Sequence, residues 1–337
     1  MANLATTYMG IPLKNPLILG ACNLSAKPET AKKLEEAGIA AIVYKSLFEE
    51  QIQLESLQLE EDLHEYEERH AEMLRLFPNL EHAGPREHLL NIKKLKESVN
   101  IPVIASLNAV YEVSWVEYAQ ELEKTGVDAL EINLYSVPGY FEVAGNSIEE
   151  RQLEVIKAVK QAVKVPVSVK ISPFYTNTLN FIKKVDEFGA NAYVLFNRFF
   201  QPDIDIIKEE FYYPWELTSE KDRMLSIRYA GLLYGNLDGD ICISRGIYTA
   251  EDVVRAVLAG ANVVQIVSTV YKNQPEVVPQ ILDGISKWMD GKKYKNLNDF
   301  RGKLSRKNLK DPFAYRRAQY IDILAKSEDI LRKYPMV

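Results

Sequence analysis

The chain gathers its apolar residues into eight short consecutive runs separated by amphipathic stretches. The runs open in two alternating ways. A proline opens LILGA after Asn15-Pro16, VIASL after Ile101-Pro102 and VSVKI after Val165-Pro166. A glycine closes the polar stretch that leads to AAIVYKS (Gly38), DALEINL (Gly126), NAYVLFN (Gly189) and NVVQIVS (Gly260). Glycine at such a place supplies the left-handed residue that ends a helix. Asp240–Ser244, without a proline, fills the remaining position. Runs that are apolar on consecutive positions predict parallel strands covered on both faces. Helical patterns lie between them at 28–37, 113–125, 149–163, 177–188, 218–235, 250–259 and 275–290. An alternation that repeats in quarters predicts the α/β class and a (β/α)8 TIM barrel. An open doubly wound sheet has no reason to repeat that way.

Two regions depart from the repeat. Residues 48–100 read as an insertion after the second strand, with an acidic helix (EEDLHEYEERHAEML), a Pro/Gly turn region and a second helix near 86–98. The tail from about 305 to 337 is basic and aromatic and reads as a docking helix or a subunit contact. No low-complexity linker divides the 337 residues, so one domain is expected. The net charge of −6 argues against a general nucleic-acid or membrane-surface binder. No apolar run approaches the ~20 residues of a membrane span. The amino terminus has no charged start followed by an apolar core, and there are only two cysteines, Cys22 and Cys242. A reduced cytoplasmic setting is the expectation.

In a barrel the chemistry sits at the carboxyl ends of the strands. The polar residues there are Cys22 and Asn23, Lys45 and Ser46, Ser106 and Asn108, Asn133 and Ser136, Lys170, Asn197 and Arg198, Ser244–Gly246, and Ser268 and Thr269. Lys45 and Lys170 end otherwise apolar strands, and a lysine is expensive to bury unless it meets an anion. Two of them at one mouth predict a small anionic ligand. Hydroxyl and small residues after strands seven and eight suit a phosphate cradle. The four histidines (His64, His70, His82, His88) all fall in the insertion and read as solvated helix residues, so no metal site is expected. Neither a P-loop nor a G-x-G-x-x-G follows the first strand. On residues alone, a non-redox lyase or isomerase that binds a phosphorylated metabolite with Lys170 as a Schiff-base nucleophile is open, as is a non-catalytic binding scaffold.

The sequence resembles the class 1 dihydroorotate dehydrogenases, FMN-containing (β/α)8 barrels of pyrimidine biosynthesis. The likeness runs to about residue 305. It rests on Asn15-Pro16 with Gly20-Ala21, AIVYKS (Ala41–Ser46), Glu131–Pro138, VSVKISP (Val167–Pro173), Ser244–Ile247, Ala259–Thr269 and YKNLNDFRGKL (Tyr294–Leu304). The resemblance implies that Ala21, Lys45, Ser46, Asn108, Asn133, Lys170 and Phe196 border the flavin. It implies that Arg245, Gly246, Val267 and Ser268 hold its phosphate. Lys45, Asn133 and Asn197 would bind substrate. Ser136 stands at the position of the catalytic base, and Lys45 and Asn133 share the catalytic centre. Class resemblance also suggests a homodimer. The residues depart from the family at the substrate end. The family's Asn-Leu-Ser-Cys-Pro-Asn run is Asn133-Leu134-Tyr135-Ser136-Val137-Pro138 here, its substrate loop is reduced to Leu76-Phe77-Pro78-Asn79 with Met73 the nearest counterpart of its leading asparagine, and Arg198 replaces a serine. The expected substrate is dihydroorotate or a related anionic dihydropyrimidine. No C-x-x-C cluster is present, so an iron–sulfur route to an electron acceptor would need a partner.

Overall fold

The computed structural model describes residues 2–49, 85–109, 112–136, 141–214 and 216–334. Eight parallel strands close on themselves: β3 (Leu17–Leu19), β4 (Ala41–Val43), β6 (Val103–Asn108), β7 (Ala129–Asn133), β8 (Val167–Ile171), β9 (Ala192–Leu195), β12 (Asp240–Ser244) and β13 (Val263–Ile266). Closure runs through Val264 beside Leu17 and Ile42 beside Val103. The barrel expected from the quartered repeat is therefore present. A short strand, β5 (Leu47–Phe48), adds to the outer end of β6.

Each strand shows two faces. Ile18, Ala41, Val43, Ile104, Ala129, Ala192, Val194, Cys242 and Val263 pack together inside the barrel. Leu17, Leu19, Ile42, Leu130, Ile132, Val167, Val169, Ile241, Ile243, Val264 and Ile266 join the larger core beneath the helices. The even alternation carries a gradient. The lower interior is apolar, whereas buried Ser106, Glu131, Ser168 and Gln265 and then Asn133 and Lys170 follow toward the carboxyl ends. An amino-terminal hairpin, β1 (Thr6–Tyr8) with β2 (Ile11–Leu13), was not foreseen. It plugs the opposite end with Tyr8, Met9 and Leu13, and the Met9 N–H donates to Asp240 Oδ2 at 2.7 Å.

The helices are α1 (Pro28–Ala37), α2 (Pro85–Ser98), α3 (Glu112–Lys124), α4 (Gly145–Ala162), α5 (Thr178–Glu187), α6 (Arg223–Leu233), α7 (Ala250–Ala259), α8 (Ser268–Asn273), α9 (Val277–Lys292), α10 (Ala318–Ala325) and α11 (Ser327–Lys333). Local chemistry sets several of their ends. Pro28 opens α1, where a missing N–H costs nothing. A Thr249/Asp252 capping box opens α7. Gly38, Gly126, Gly189 and Gly260 all take positive φ, as their place before strands requires.

Pro85–Ser98 corrects the expected insertion. Its Ile92 and Leu95 are buried in the core beneath the helices, and it is the barrel's own second helix. The additional sequence is therefore 48–84, of which the acidic helix and the substrate-loop counterpart lie outside the described residues. After β9 the chain forms a second unforeseen hairpin, β10 (Asp203–Asp205) with β11 (Glu210–Tyr212), before a short turn leads into α6. In the tail, the Tyr315 hydroxyl donates to Leu304 O at 2.6 Å beside Gly231, and α10 exposes Tyr320, Ile321 and Leu324. No described helix is long and apolar enough to cross a membrane.

Candidate active site

A cavity of about 530 Å³ opens at the carboxyl end of the barrel. That volume is within the range of small-molecule sites. Ala21, Cys22 and Asn23 follow β3, Lys45 and Ser46 follow β4, and Asn133 and Lys170 end β7 and β8. Asn197, Arg198 and Phe200 enter after β9, Ser244–Ile247 with β12, and Gln265, Val267 and Ser268 with β13. Among the described residues four cationic side chains line it, Lys45, Lys170, Arg198 and Arg245, against one lining carboxylate, Glu216. A chain of net charge −6 thus carries a locally positive cleft, which focuses attraction for an anion.

Asn133 and Lys170 face each other across the β7–β8 register. Asn197 Nδ2 donates to Asn133 Oδ1 at 2.5 Å. That bond uses one donor and one acceptor, so the Asn133 amide donors and the Asn197 carbonyl oxygen keep capacity for a ligand. The Ser46 and Ser106 hydroxyls lie 2.7 Å apart. The Lys45 N–H donates to Ser25 Oγ at 2.9 Å, and the Ser25 hydroxyl donates to Cys22 O at 2.8 Å. These bonds fix the loop after β3 against the end of β4, which carries Lys45.

Two buried residues on the barrel strands, Glu131 and Gln265, were not singled out in the sequence. Glu131, wholly buried on β7, lies with Oε1 3.8 Å from Lys170 Nζ, and Gln265 Nε2 donates to its Oε2 at 2.5 Å. Burial raises its carboxyl above the ordinary value, while Lys170 and Gln265 pull the other way. The signal was available: each is a polar residue on the inward parity of an apolar strand, Glu131 two places before Asn133 and Gln265 two before Val267.

The sign of this shift yields a stability prediction. Because the folded value exceeds the unfolded 4.5, the contribution is full below that pH and is lost as pH rises through the folded value. Glu131→Gln cannot ionise. Its stability relative to the wild type should therefore improve as pH rises above 4.5. Thermal melts from about pH 4 to about pH 8 check this. A difference in Tm that stays flat over that interval contradicts it.

At the other end of the cavity, Arg245 and Gly246 both take positive φ, +78° and +64°. Arg245 Nη2 donates to Asp222 Oδ1 at 2.9 Å, and Nη1 to Asn197 O at 3.4 Å. Thr218, which the sequence reading did not single out, bridges the two phosphate-cradle segments. Its hydroxyl donates to Ser268 Oγ at 2.8 Å, its N–H donates to the same oxygen at 3.1 Å, and the Gly246 N–H reaches its Oγ1 at 3.5 Å. Tyr248 donates its hydroxyl hydrogen to Thr218 O. Thr218 follows the β10–β11 hairpin, so its approach is a product of the fold.

Three expected site residues do not line the cavity. Phe196 is wholly buried with the helix-side core, edge-on to Tyr229 at 5.2 Å. The inward alternation ends with Val194, and Asn197 is the next residue to face the site. Asn108 is buried at the end of β6, away from the lining. Ser136 is exposed, beyond the last lining residue of its strand; Val137–Tyr140 lie outside the described residues. His88 corrects another expectation. It is half-buried edge-on to Tyr44 at 5.0 Å, and burial, with Lys45 nearby, lowers it to about 4. His64, His70 and His82 lie outside the described residues. Among the described residues no group of three or more His, Cys, Asp or Glu side chains could hold a metal. The Cys22 thiol does face the cavity, but burial pushes it up to about 11, so it is no base at neutral pH.

A closed parallel barrel with a cationic, amide-lined cavity at the carboxyl ends of its strands has the geometry of a barrel site suited to a small anionic ligand. Comparison with known sequences makes this specific. The dihydroorotate dehydrogenase family profile matches residues 77–289. The catalytic subunit of dihydroorotate dehydrogenase B (NAD(+)) from Thermoplasma acidophilum is 28% identical over 309 residues, covering 90% of this chain and 99% of the relative. The corresponding subunit from Methanocella arvoryzae is 30% identical over 297 residues, 85% of this chain and 93% of its own. A putative dihydroorotate dehydrogenase A (fumarate) from Aeropyrum pernix is 29% identical over 233 residues, 66% and 74% of the two chains. The chain belongs to the dihydroorotate dehydrogenase family. It is an oxidoreductase of the kind that acts on a CH–CH bond.

Proposed function

We propose that this chain is an FMN-dependent dehydrogenase that oxidises dihydroorotate or a closely related anionic dihydropyrimidine. The observation that carries the reading is the convergence of Lys45, Lys170 and the Asn133–Asn197 amide pair on one cavity at the barrel mouth. Two unpartnered buried groups on the cavity walls fit the cofactor. Gln265 Oε1 is an acceptor without a partner among the described residues, and Arg245 Nε is a donor without one. They suit a ring N–H and a phosphate oxygen. Bound FMN would supply the hydride acceptor.

The residues then divide the work. Ala21, Ser46, Asn133 and Lys170 would border the ring system, and Arg245, Gly246, Val267 and Ser268 would hold the phosphate. Lys170 would set a fixed cation where charge accumulates on reduction. Lys45, Asn133 and Asn197 would orient the substrate, Lys45 matching its anionic group. Asn108 and Phe196 would support the ring site from behind its lining. Ser136, on the exposed end of the strand that carries Asn133, is the proposed proton acceptor. A hydroxyl needs a relay to act as a base at neutral pH. A cytoplasmic homodimer completes the reading, and light scattering on the full chain tests the dimer.

The test of the function is an absorbance spectrum of the purified protein, followed by anaerobic turnover with dihydroorotate and with other dihydropyrimidines. A flavin spectrum, or recovery of one on adding FMN, is expected. Dye reduction with at least one of these substrates should follow. Since the relatives' names give both NAD(+) and fumarate, an artificial dye keeps the acceptor from deciding the outcome. A protein that neither carries nor takes up flavin overturns the redox reading and leaves the Schiff-base alternative at Lys170. Turnover unchanged in Ser136→Ala removes Ser136 from the chemistry and leaves the rest of the assignment.

A further inference from the structure

We propose that Glu131, clamped by Gln265, is a positioning residue for the Lys170 ammonium and thereby sets how strongly the site prefers reduced over oxidised FMN. The proposal rests on the flavin reading above. Its basis is a buried carboxyl with an asymmetric set of partners. Oε2 is occupied by Gln265 Nε2 at 2.5 Å. Oε1 has no hydrogen-bond partner among the described residues and lies 3.8 Å from Lys170 Nζ. That separation is an ion-pair contact without a hydrogen bond. Lys170 therefore keeps its N–H donors for the cavity, while the carboxylate draws the ammonium back toward the barrel interior. The Lys170 side chain is 13% exposed and that of Glu131 1%, so the attraction acts in a poorly screened interior.

The clamp is itself held. Gln265 is 2% exposed on β13, across the barrel from β7. A Cβ on Gly20 would stand 3.2 Å from Gln265 Oε1 and 2.9 Å from Val267 Cγ2, so the neighbouring turn leaves the amide little room. A buried acid is costly to keep where an apolar side chain of similar volume would pack as well. Its position behind a cavity-lining lysine gives the cost a purpose. Reduction of FMN places negative charge on the ring, and that charge competes with Glu131 for the same ammonium. An ionised Glu131 therefore weakens the preference for reduced FMN.

The experiment titrates the full-length apoprotein anaerobically with oxidised FMN and with chemically reduced FMN, in the wild type, Glu131→Gln, Lys170→Met and the double variant. Glu131→Gln is expected to raise the ratio of reduced to oxidised affinity about tenfold, equivalent to a two-electron potential ~30 mV more positive. In the Lys170→Met background the same substitution should change the ratio less than about twofold, because the effect passes through the lysine. An unchanged ratio in Glu131→Gln overturns the proposal. A full tenfold change that persists without Lys170 also overturns it, since the carboxylate would then act on FMN directly. Should Glu131→Gln fail to fold, Glu131→Met removes the carboxylate with an apolar side chain of similar length and is expected to shift the ratio in the same direction; no shift overturns the proposal. If the wild type binds neither form of FMN, the flavin reading fails and this proposal with it. If FMN binds with an unchanged ratio, this proposal alone fails.

Discussion

Lys170→Met is expected to lower turnover roughly 10²–10³-fold, the loss seen when one fixed electrostatic donor is removed from a reacting centre. Methionine keeps length and packing but carries no charge. The substitution also strips the buried Glu131 of the cation 3.8 Å away. Breaking a buried pair costs up to about 3–5 kcal/mol. Protonation of Glu131, which burial already favours, reduces that loss. The two effects separate in the double variant. Lys170→Met with Glu131→Gln should regain much of the stability, measured by thermal melts, and none of the turnover, measured with an artificial acceptor. Turnover within about threefold of the wild type in the single variant would show that the cation is not used in the chemistry.

Gly246→Ala is the second large effect expected, and its cause is the backbone. Gly246 has φ +64°, a conformation that costs a residue with a side chain about 1–2 kcal/mol. A Cβ there would stand 2.5 Å from Arg223 N and 2.9 Å from Ser219 O. Both are main-chain atoms of the turn that carries Asp222, the partner of Arg245. The turn must move, and the proposed phosphate end opens with it. FMN affinity should fall at least about tenfold, and the Tm should fall as well. Two other glycines separate the causes. Gly126 has φ +84° and nothing near its would-be Cβ, so Gly126→Ala should show the backbone cost alone. Gly145 has neither a positive φ nor a near neighbour, so Gly145→Ala should be close to neutral. Equal FMN affinity in Gly246→Ala and the wild type would remove this turn from the ligand site.

Residues 48–84 illustrate why the repeat had to be placed in space before the extra sequence could be delimited. The pattern 85–98 was amphipathic in the sequence, yet it sat beside an irregular acidic stretch and was grouped with it. Burial of Ile92 and Leu95 against the barrel assigns it to the helix layer. Similarly, the hairpin at Asp203–Tyr212 has exposed apolar residues on both strands, Ile204 and Phe211 among them, so no inward–outward alternation announces it. Strand-end polarity located most of the cavity lining, because parallel strands bring their carboxyl ends to one face by topology. Ser136, where the chain leaves the barrel, does not line the cavity, and Phe196, which the resemblance set beside the flavin, falls where the strand parity breaks.

The sequence by itself determined the barrel, the side of the barrel on which chemistry sits, and the pairing of Lys45 with Lys170 at that mouth. These follow from local signals, namely runs of apolar residues, glycine helix ends and polar strand ends, each read over a few residues. Only the tertiary structure decided that Glu131 and Gln265 meet across the barrel behind Lys170, and that Asn197 bonds Asn133. It alone placed Thr218 between Gly246 and Ser268. These contacts join residues 134, 64, 28 and 50 positions apart. Their geometry depends on strand register and on how the barrel closes, which single-sequence patterns do not contain.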